Sequence, residues 1–287
     1  MAINIATSSN LADAQRIVIA EARYTEEHKA VMKQLVTHFT LGKGEKSINV
    51  PKFATVSASA LTDGVDLASP TSVTNTTKSI TTAEVGLLIV LSDKLIRQMV
   101  PDMFRVAGRL AGNAMGKKLD QDLLALFSGI DAGVGASGTV ITTGYITAAV
   151  AKCFGASEPA PAPLACVLHP YQVRKIMDAL APVGTYPIPD GYSKEVLSKY
   201  FSGSLKTWGV PIYFDGNVDN STAAATYGAV FSKDCLYLAT QKEWSVERER
   251  DATLRATELV VVADYAVGEL DGVHGQYLLF DATAPTS

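Results

Sequence analysis

The chain has 287 residues and a mass of 30.4 kDa, enough for one large domain or two modest ones that fold without disulfide or metal staples. Its 25 Lys and Arg against 29 Asp and Glu give a net charge of −4, which excludes a protein that grips nucleic acid by neutralising phosphates. Apolar residues make up 47% of the chain and charged residues only 19%, against a usual charged fraction of about a quarter, so an unusual share of the surface is neutral or covered by partners.

From 11 to 39 the apolar positions Ile17, Val18, Ala22, Val31, Leu35 and Phe39 give a broken helical pattern with too few large side chains for a core of its own. This predicts an arm that packs on something else. Between 40 and 89 the pattern becomes two-periodic, with Ile48, Val50 and Phe53 in one strand and Ile80, Val85, Leu87 and Ile89 in a second. The intervening residues 53–77 hold ten Ser or Thr and no Lys or Arg. They bury too little area to offset their ordering entropy alone, which predicts a long projecting hairpin with a neutral β-edge tip suited to pairing with a neighbouring chain.

The strongest local signal follows. Met103, Ala107, Ala111, Met115, Leu119, Leu123 and Leu126 form one apolar stripe, and Arg105, Arg109, Asn113, Lys117 and Gln121 form a polar one. Pro101 and Asp102 suit a first turn and Gly129 a stop, so a helix over 101–128, roughly 42 Å long, is expected. Gly108, Gly112 and Gly116 recur every fourth residue, each costing about 1 kcal/mol relative to Ala, which predicts close packing against them. Further along, the chain reads as Gly- and Thr-rich to 143 and helical over 145–154. A strand over 164–168, a helix over 170–180, a loop over 182–192, a short helix over 194–201 and a strand over 210–214 come next, an α/β unit of about 100 residues. From 229 the pattern is again mostly two-periodic, through 236–239, 244–254, 258–263 and 275–280, and predicts a closing meander of strands. Over 243–258 the signs segregate: Trp244, Val246, Arg248 and Arg250 share one face, and Ser245, Glu247, Glu249 and Asp251 the other. Such a strand wants charged partners, or else is a solvated edge protected by its charge.

No constellation points to chemistry. Gly133-Val134-Gly135-Ala136-Ser137-Gly138 matches GxGxxG, but a dinucleotide site needs a strand before it and a helix directly after it, and here a helix precedes and a strand-like segment follows. A nucleotide-dependent enzyme built on that turn is the alternative from a different class. His28, His38, His169 and His274 are scattered, with His169 placed to cap the helix after Pro170. Asp63 with Asp66, and Asp120 with Asp122, read as solvated charge. Cys153, Cys166 and Cys235 are far apart with no CxxC and no His at ligand spacing, so no disulfide framework and no zinc site is indicated. No catalytic, cofactor-binding or metal-binding residue is assigned. No secretory signal is visible at the start, and the most apolar run, 85–91, is far shorter than the about 20 residues of a membrane span, so no membrane association is expected.

The order of arm, long neutral hairpin, spine-length helix, α/β unit and closing meander resembles the major capsid protein of tailed double-stranded DNA bacteriophages, the Hong Kong 97 type. The pieces that carry the resemblance are Val85-Gly-Leu-Leu-Ile-Val-Leu-Ser-Asp-Lys-Leu-Ile with the helix after it, Pro170-Tyr-Gln-Val-Arg-Lys-Ile-Met, Trp208-Gly-Val-Pro-Ile-Tyr, and Trp244-Ser-Val-Glu-Arg-Glu-Arg-Asp. The resemblance implies an α+β chain with an N-terminal arm (1–39), an extended β-hairpin loop (40–89), a peripheral domain (90–132 and 240–287) with the spine helix, and an α/β axial domain (133–239). It implies a structural protein rather than an enzyme, with no cofactor, self-assembling into pentamers and hexamers of an icosahedral shell that encloses DNA without reading its sequence. Lys46, Phe53, Asp63, Asp66, Lys78, Arg248 and Arg250 are the expected intersubunit contacts. A separate scaffolding protein, a portal and a decoration protein are the implied partners, the virion the location, and the bacterial host cytoplasm the place of synthesis. An encapsulin-type nanocompartment shell is the alternative within the same fold. Some relatives join a Lys of the extended loop to an Asn of a neighbouring peripheral domain. Here Lys43, Lys46, Lys52 and Lys78 stand on the donor side, but no Asn follows Asn220, so an uncross-linked shell is expected.

Overall fold

The computed structural model describes residues 31–56, 58, 60, 63, 72–98, 103–180, 206–207 and 209–285. The expected loop over 182–192, the helix over 194–201, Asp66 and most of the arm lie outside these residues. In chain order the elements are β1 (Thr37–Thr40), β2 (Ser47–Phe53), β3 (Asn75–Thr81), β4 (Ala83–Ser92), α1 (Asp93–Gln98), α2 (Met103–Ala125), β5 (Gly133–Gly135), α3 (Thr143–Gly155), β6 (Leu164–Leu168) and α4 (Pro170–Leu180). Then follow β7 (Lys206–Thr207), β8 (Val210–Phe214), β9 (Thr226–Ser232), β10 (Leu236–Asp251), β11 (Ala256–Glu269) and β12 (Gly275–Phe280).

Helix α2 forms where the apolar stripe predicts it. Ala107, Ala111, Met115, Leu119 and Leu123 are all buried, and the last turn tightens into a 3₁₀ segment at Leu126–Gly129. The stripe lies across a four-stranded sheet of order β1-β10-β11-β4, packing with Val85, Leu87, Ile89, Val261 and Ala263. A second, six-stranded sheet of order β5-β12-β9-β6-β8-β7 is covered on both sides. Cys166, Leu168, Val230 and Leu278 face α3 and α4, whereas Val167, Ala229 and Phe231 face Phe127 and the first core. That double burial is why every residue of β6 is buried and why β6 reads as a continuous apolar run rather than an alternating one.

Three expectations about the elements are corrected. The helical reading of the segment up to 39 fails at its end: Met32–Gln34 is one 3₁₀ turn, and β1 pairs in parallel with β10 from Thr37↔Tyr237 to Thr40↔Thr240. The second strand expected for the hairpin is not continuous from Ile80 to Ile89. It breaks at Thr82, and Ala83–Ser92 leaves the hairpin to pair with β11. Two sequence segments, 236–239 and 244–254, fuse into the single strand β10, joined through register shifts between Thr240 and Ser245 where the alternation is locally lost. Strand β10 runs through residues 239 and 240 without a break, and β12 pairs with β9 and β5 in the six-stranded sheet.

The GxGxxG segment is explained by this pairing. A Cβ on Gly133 would fall 2.3 Å from the Tyr277 ring, and one on Gly135, whose φ is +101°, would fall 2.4 Å from the Phe280 ring. These glycines let β5 lie against β12, and α3 does not begin until Thr143. The strand-turn-helix scaffold of a nucleotide site is absent at this turn.

Candidate functional site

Two surfaces collect the features that the cores leave unused. The first is the hairpin. Strands β2 and β3 pair from Ser47↔Thr81 to Phe53↔Asn75 as a two-stranded sheet of their own, and an isolated hairpin is marginal in water. Its foot is therefore anchored. Ile48, Val50 and Ile80 pack with Leu41, Tyr237 and Ala239. Gln241 holds both legs, donating from Nε2 to the Glu45 carbonyl at 2.8 Å and accepting the Thr82 hydroxyl on Oε1 at 2.9 Å. Lys52 places its ammonium 2.9 Å from Glu158 and 2.7 Å from Asp271. The Asp271 carboxylate is the main reason that the Lys52 pKa is raised. Beyond this foot the hairpin exposes Phe53, Val56 and Val73. Lys46 and Lys78 are exposed on its legs, and Asp63 is exposed near its far end. Lys78 also acts on Glu269, whose acid is pushed above the usual range mainly by burial and by neighbouring Asp131, with Lys78 opposing.

Glu158, Asp271 and His274 come together, with one ligand atom from each lying within 4.8 Å of the others. No spacing rule shows this, because loop 156–163 and the β11–β12 connection meet only in the folded chain. Lys52 is bonded to both carboxylates of that group, so its chemistry is that of a salt bridge that fixes the hairpin foot.

The second surface is the strand β10. Arg250 donates through both terminal nitrogens to the Asp93 carboxylate at 3.1 and 2.9 Å, and this guanidinium holds the Asp93 acid below the usual carboxylate range. The charged strand thus finds a carboxylate partner within its own chain, at the first residue of α1. Arg248 stands exposed one pleat away, opposite Leu259. Val246 lies opposite Val261 and so shares the face that α2 covers, yet both it and Trp244 are exposed beyond the helix. Beside them runs the glycine row of α2. The expected close packing is not supplied by the described residues of the same chain: nothing lies within 4 Å of a Cβ built on Gly108 or Gly112, and at Gly116 only Trp244 Cη2 does, at 3.5 Å. Where the register shifts distort β10, a cavity of about 410 Å³ opens, lined among others by Lys33, His38, Leu119, Lys242, Trp244 and Tyr265. The Tyr265 hydroxyl is committed to Asp122 at 2.8 Å, and no nucleophile-base pair lines the cavity.

The remaining sequence candidates sort clearly. His169 caps α4, its Nδ1 accepting the Tyr171 N–H at 3.2 Å. Cys153, Cys166 and Cys235 are free and buried, and burial raises each thiol's pKa, so none is a nucleophile. The solvated reading of Asp120 and Asp122 is overturned. Asp122 is half-buried between Lys118, at 2.6 Å, and Tyr265, and Asp120 is fully buried. Among the described residues no helix is long and apolar enough to cross a membrane.

This architecture recurs in solved structures. The head structure of Helicobacter pylori bacteriophage KHP40 matches at a TM-score of 0.73 and 11% identity, covering 99% of this chain and 99% of that one. Mycobacterium phage Che8 matches at 0.71 and 12% identity, over 89% and 93%, and the capsid of the cyanophage P-SCSP1u at 0.68 and 14%, over 91% of each. No curated protein sequence matches the chain. The fold is the α+β capsid fold of tailed phages, the Hong Kong 97 type. The family model for the phage capsid protein matches residues 52–274, a span that runs from the hairpin foot at Lys52 to the end of the β11–β12 connection, and by that match the chain belongs to the phage capsid protein family.

Proposed function

We propose that this chain is the major capsid subunit that assembles into pentamers and hexamers of an icosahedral shell around double-stranded phage DNA. The observation that carries the reading is a pair of unsatisfied surfaces on one molecule. A hairpin exposes Phe53, Val56 and Val73, and a separate face of the molecule leaves Gly108 and Gly112 of α2 open and Trp244 and Val246 exposed. A monomer in water gains nothing from either, whereas two different patches on one chain make head-to-tail contacts that close into rings. Lys46, Asp63, Asp66 and Lys78 on the hairpin, with Arg248 and Arg250 on β10, line these contacts in the proposal. The net charge of −4 suits a wall that encloses DNA without binding it. A separate scaffolding protein, a portal and a decoration protein are its proposed partners, and the virion its location. Sedimentation of the purified chain, with a scaffold protein co-expressed, tests this: capsomers and large closed particles are expected, and monomers or dimers alone at high concentration contradict it.

A further inference from the structure

Glu158 stands in the loop between α3 and β6, while Asp271 caps and His274 ends the 3₁₀ turn Gly272–His274 before β12. One ligand atom from each of the three lies within 4.8 Å of the others. The turn itself orients the Asp271 carboxylate, since Oδ1 accepts the Val273 N–H at 3.3 Å, and Oδ2 faces His274 Nδ1 at 3.7 Å, beyond hydrogen-bond reach. That nitrogen is shut off from water and has no hydrogen-bond partner. A polar atom left bare in this way is costly, and in the neutral ring with its proton on Nε2 it presents a lone pair. The two carboxylates already hold a cation, the Lys52 ammonium, at 2.9 and 2.7 Å. More negative charge crowds in beside them: a Cβ on Gly272 would collide with both Glu269 and Asp131. Burial and neighbouring Asp131 hold the Glu269 acid above the usual range, with Lys78 opposing and Asp271 adding to it.

We propose that Glu158, Asp271 and His274 are the protein ligands of a divalent ion of the zinc class, and that this ion takes the place of the Lys52 ammonium and so loosens the hairpin foot. An imidazole among carboxylates suits zinc, whereas magnesium and calcium favour oxygen ligands alone. Two ligand atoms each about 2.0–2.2 Å from a tetrahedral zinc stand about 3.3–3.6 Å apart. The His274–Asp271 pair, at 3.7 Å, is therefore already near coordination spacing. Glu158, on its loop, has to close by about 1 Å, and a water completes the four ligands. The ammonium and the ion cannot share the same two carboxylates. The Lys52 side chain is 43% exposed and turns to water, which solvates its charge, while His274 gains the bond that it lacks. The exchange replaces a tie between the hairpin and the body by a tie within the body, from the β11–β12 connection to the loop before β6. This site stands on contacts within one chain and does not depend on the shell reading.

Calorimetric titration of zinc chloride into the full-length chain tests it, with magnesium chloride as the control. Saturable binding of one zinc ion per chain is expected, and none of magnesium. Binding should be about tenfold tighter in Lys52→Met, which removes the competing ammonium, and at least about tenfold weaker in His274→Gln and in Glu158→Gln. Two readings on the unmutated chain stand whether or not those last two variants fold. X-ray absorption at the zinc edge should show a shell of nitrogen and oxygen without sulfur, and hydrogen exchange of the β2 and β3 amides should quicken as zinc saturates. No saturable zinc binding overturns the proposal. So does sulfur in the shell, which would assign the ion to the cysteines, affinity no tighter in Lys52→Met, or hairpin exchange that zinc leaves unchanged.

Discussion

Replacing Lys52 by Met keeps the aliphatic stem and removes the ammonium that ties the hairpin foot to Glu158 and Asp271. The Lys52 side chain is 43% exposed, so each ion pair is screened and is worth about 0.2–1 kcal/mol. Its partners are less forgiving: the Glu158 and Asp271 side chains are 24% and 12% exposed, and losing a donor from a half-buried acceptor costs about 1–3 kcal/mol before water re-enters. With solvent discounting both terms, a net loss of about 1–2 kcal/mol is expected, and about 1.4 kcal/mol is a tenfold change in an opening equilibrium. Limited proteolysis of the hairpin in unassembled subunits, with dilute protease so that cutting follows the open population, is then roughly tenfold faster in Lys52→Met. Lys46→Met, on the same hairpin but exposed, is the control and leaves the rate unchanged. Since the Lys52 pKa is raised from 10.5, the bridge is fully present below that value and is lost only above it, so the difference persists across pH 6–9. Equal cutting of Lys52→Met and the unmutated chain would refute the anchoring argument.

Three other outcomes follow from named contacts. Gly112→Ala adds a methyl where nothing lies within 4 Å, so it raises the stability of the isolated subunit by up to about 1 kcal/mol in thermal unfolding while lowering particle yield. Arg250→Glu sets a carboxylate against Asp93 across contacts now at 3.1 and 2.9 Å, and particle counts by electron microscopy should drop while the circular dichroism of the subunit is retained. Boiled particles should run on a denaturing gel as one band near 30.4 kDa, because no Asn follows Asn220 to accept a lysine; a ladder of higher bands contradicts this.

What was legible in the sequence was what local periodicity encodes. The stripe from Ala107 to Leu123 marks α2 because one helix face is buried, and β6, α4 and β8 stand between clear punctuation at Pro163, Pro170 and Asp215. What was not legible depends on distant partners. Residues Thr37–Thr40 become a strand only because β10 offers them a parallel edge, and β10 hides its continuity in a register shift. Asp120 looks like one more polar residue of a helix until Met32 and Asn217 fold onto it. Likewise Lys52 is one Lys in a polar hairpin until Glu158 and Asp271 arrive from two other segments. The glycine row of α2 predicts a close neighbour, and among the described residues only Trp244, at Gly116, stands within 4 Å of it.

Electron microscopy of particles formed by the purified chain tests the central claim most directly. The account predicts closed icosahedral shells whose reconstruction resolves pentamers and hexamers, with each hairpin lying over an adjacent subunit beside the glycine row of α2 and Trp244. A hairpin folded back on its own subunit, or a chain that stays monomeric under every assembly condition, would contradict it.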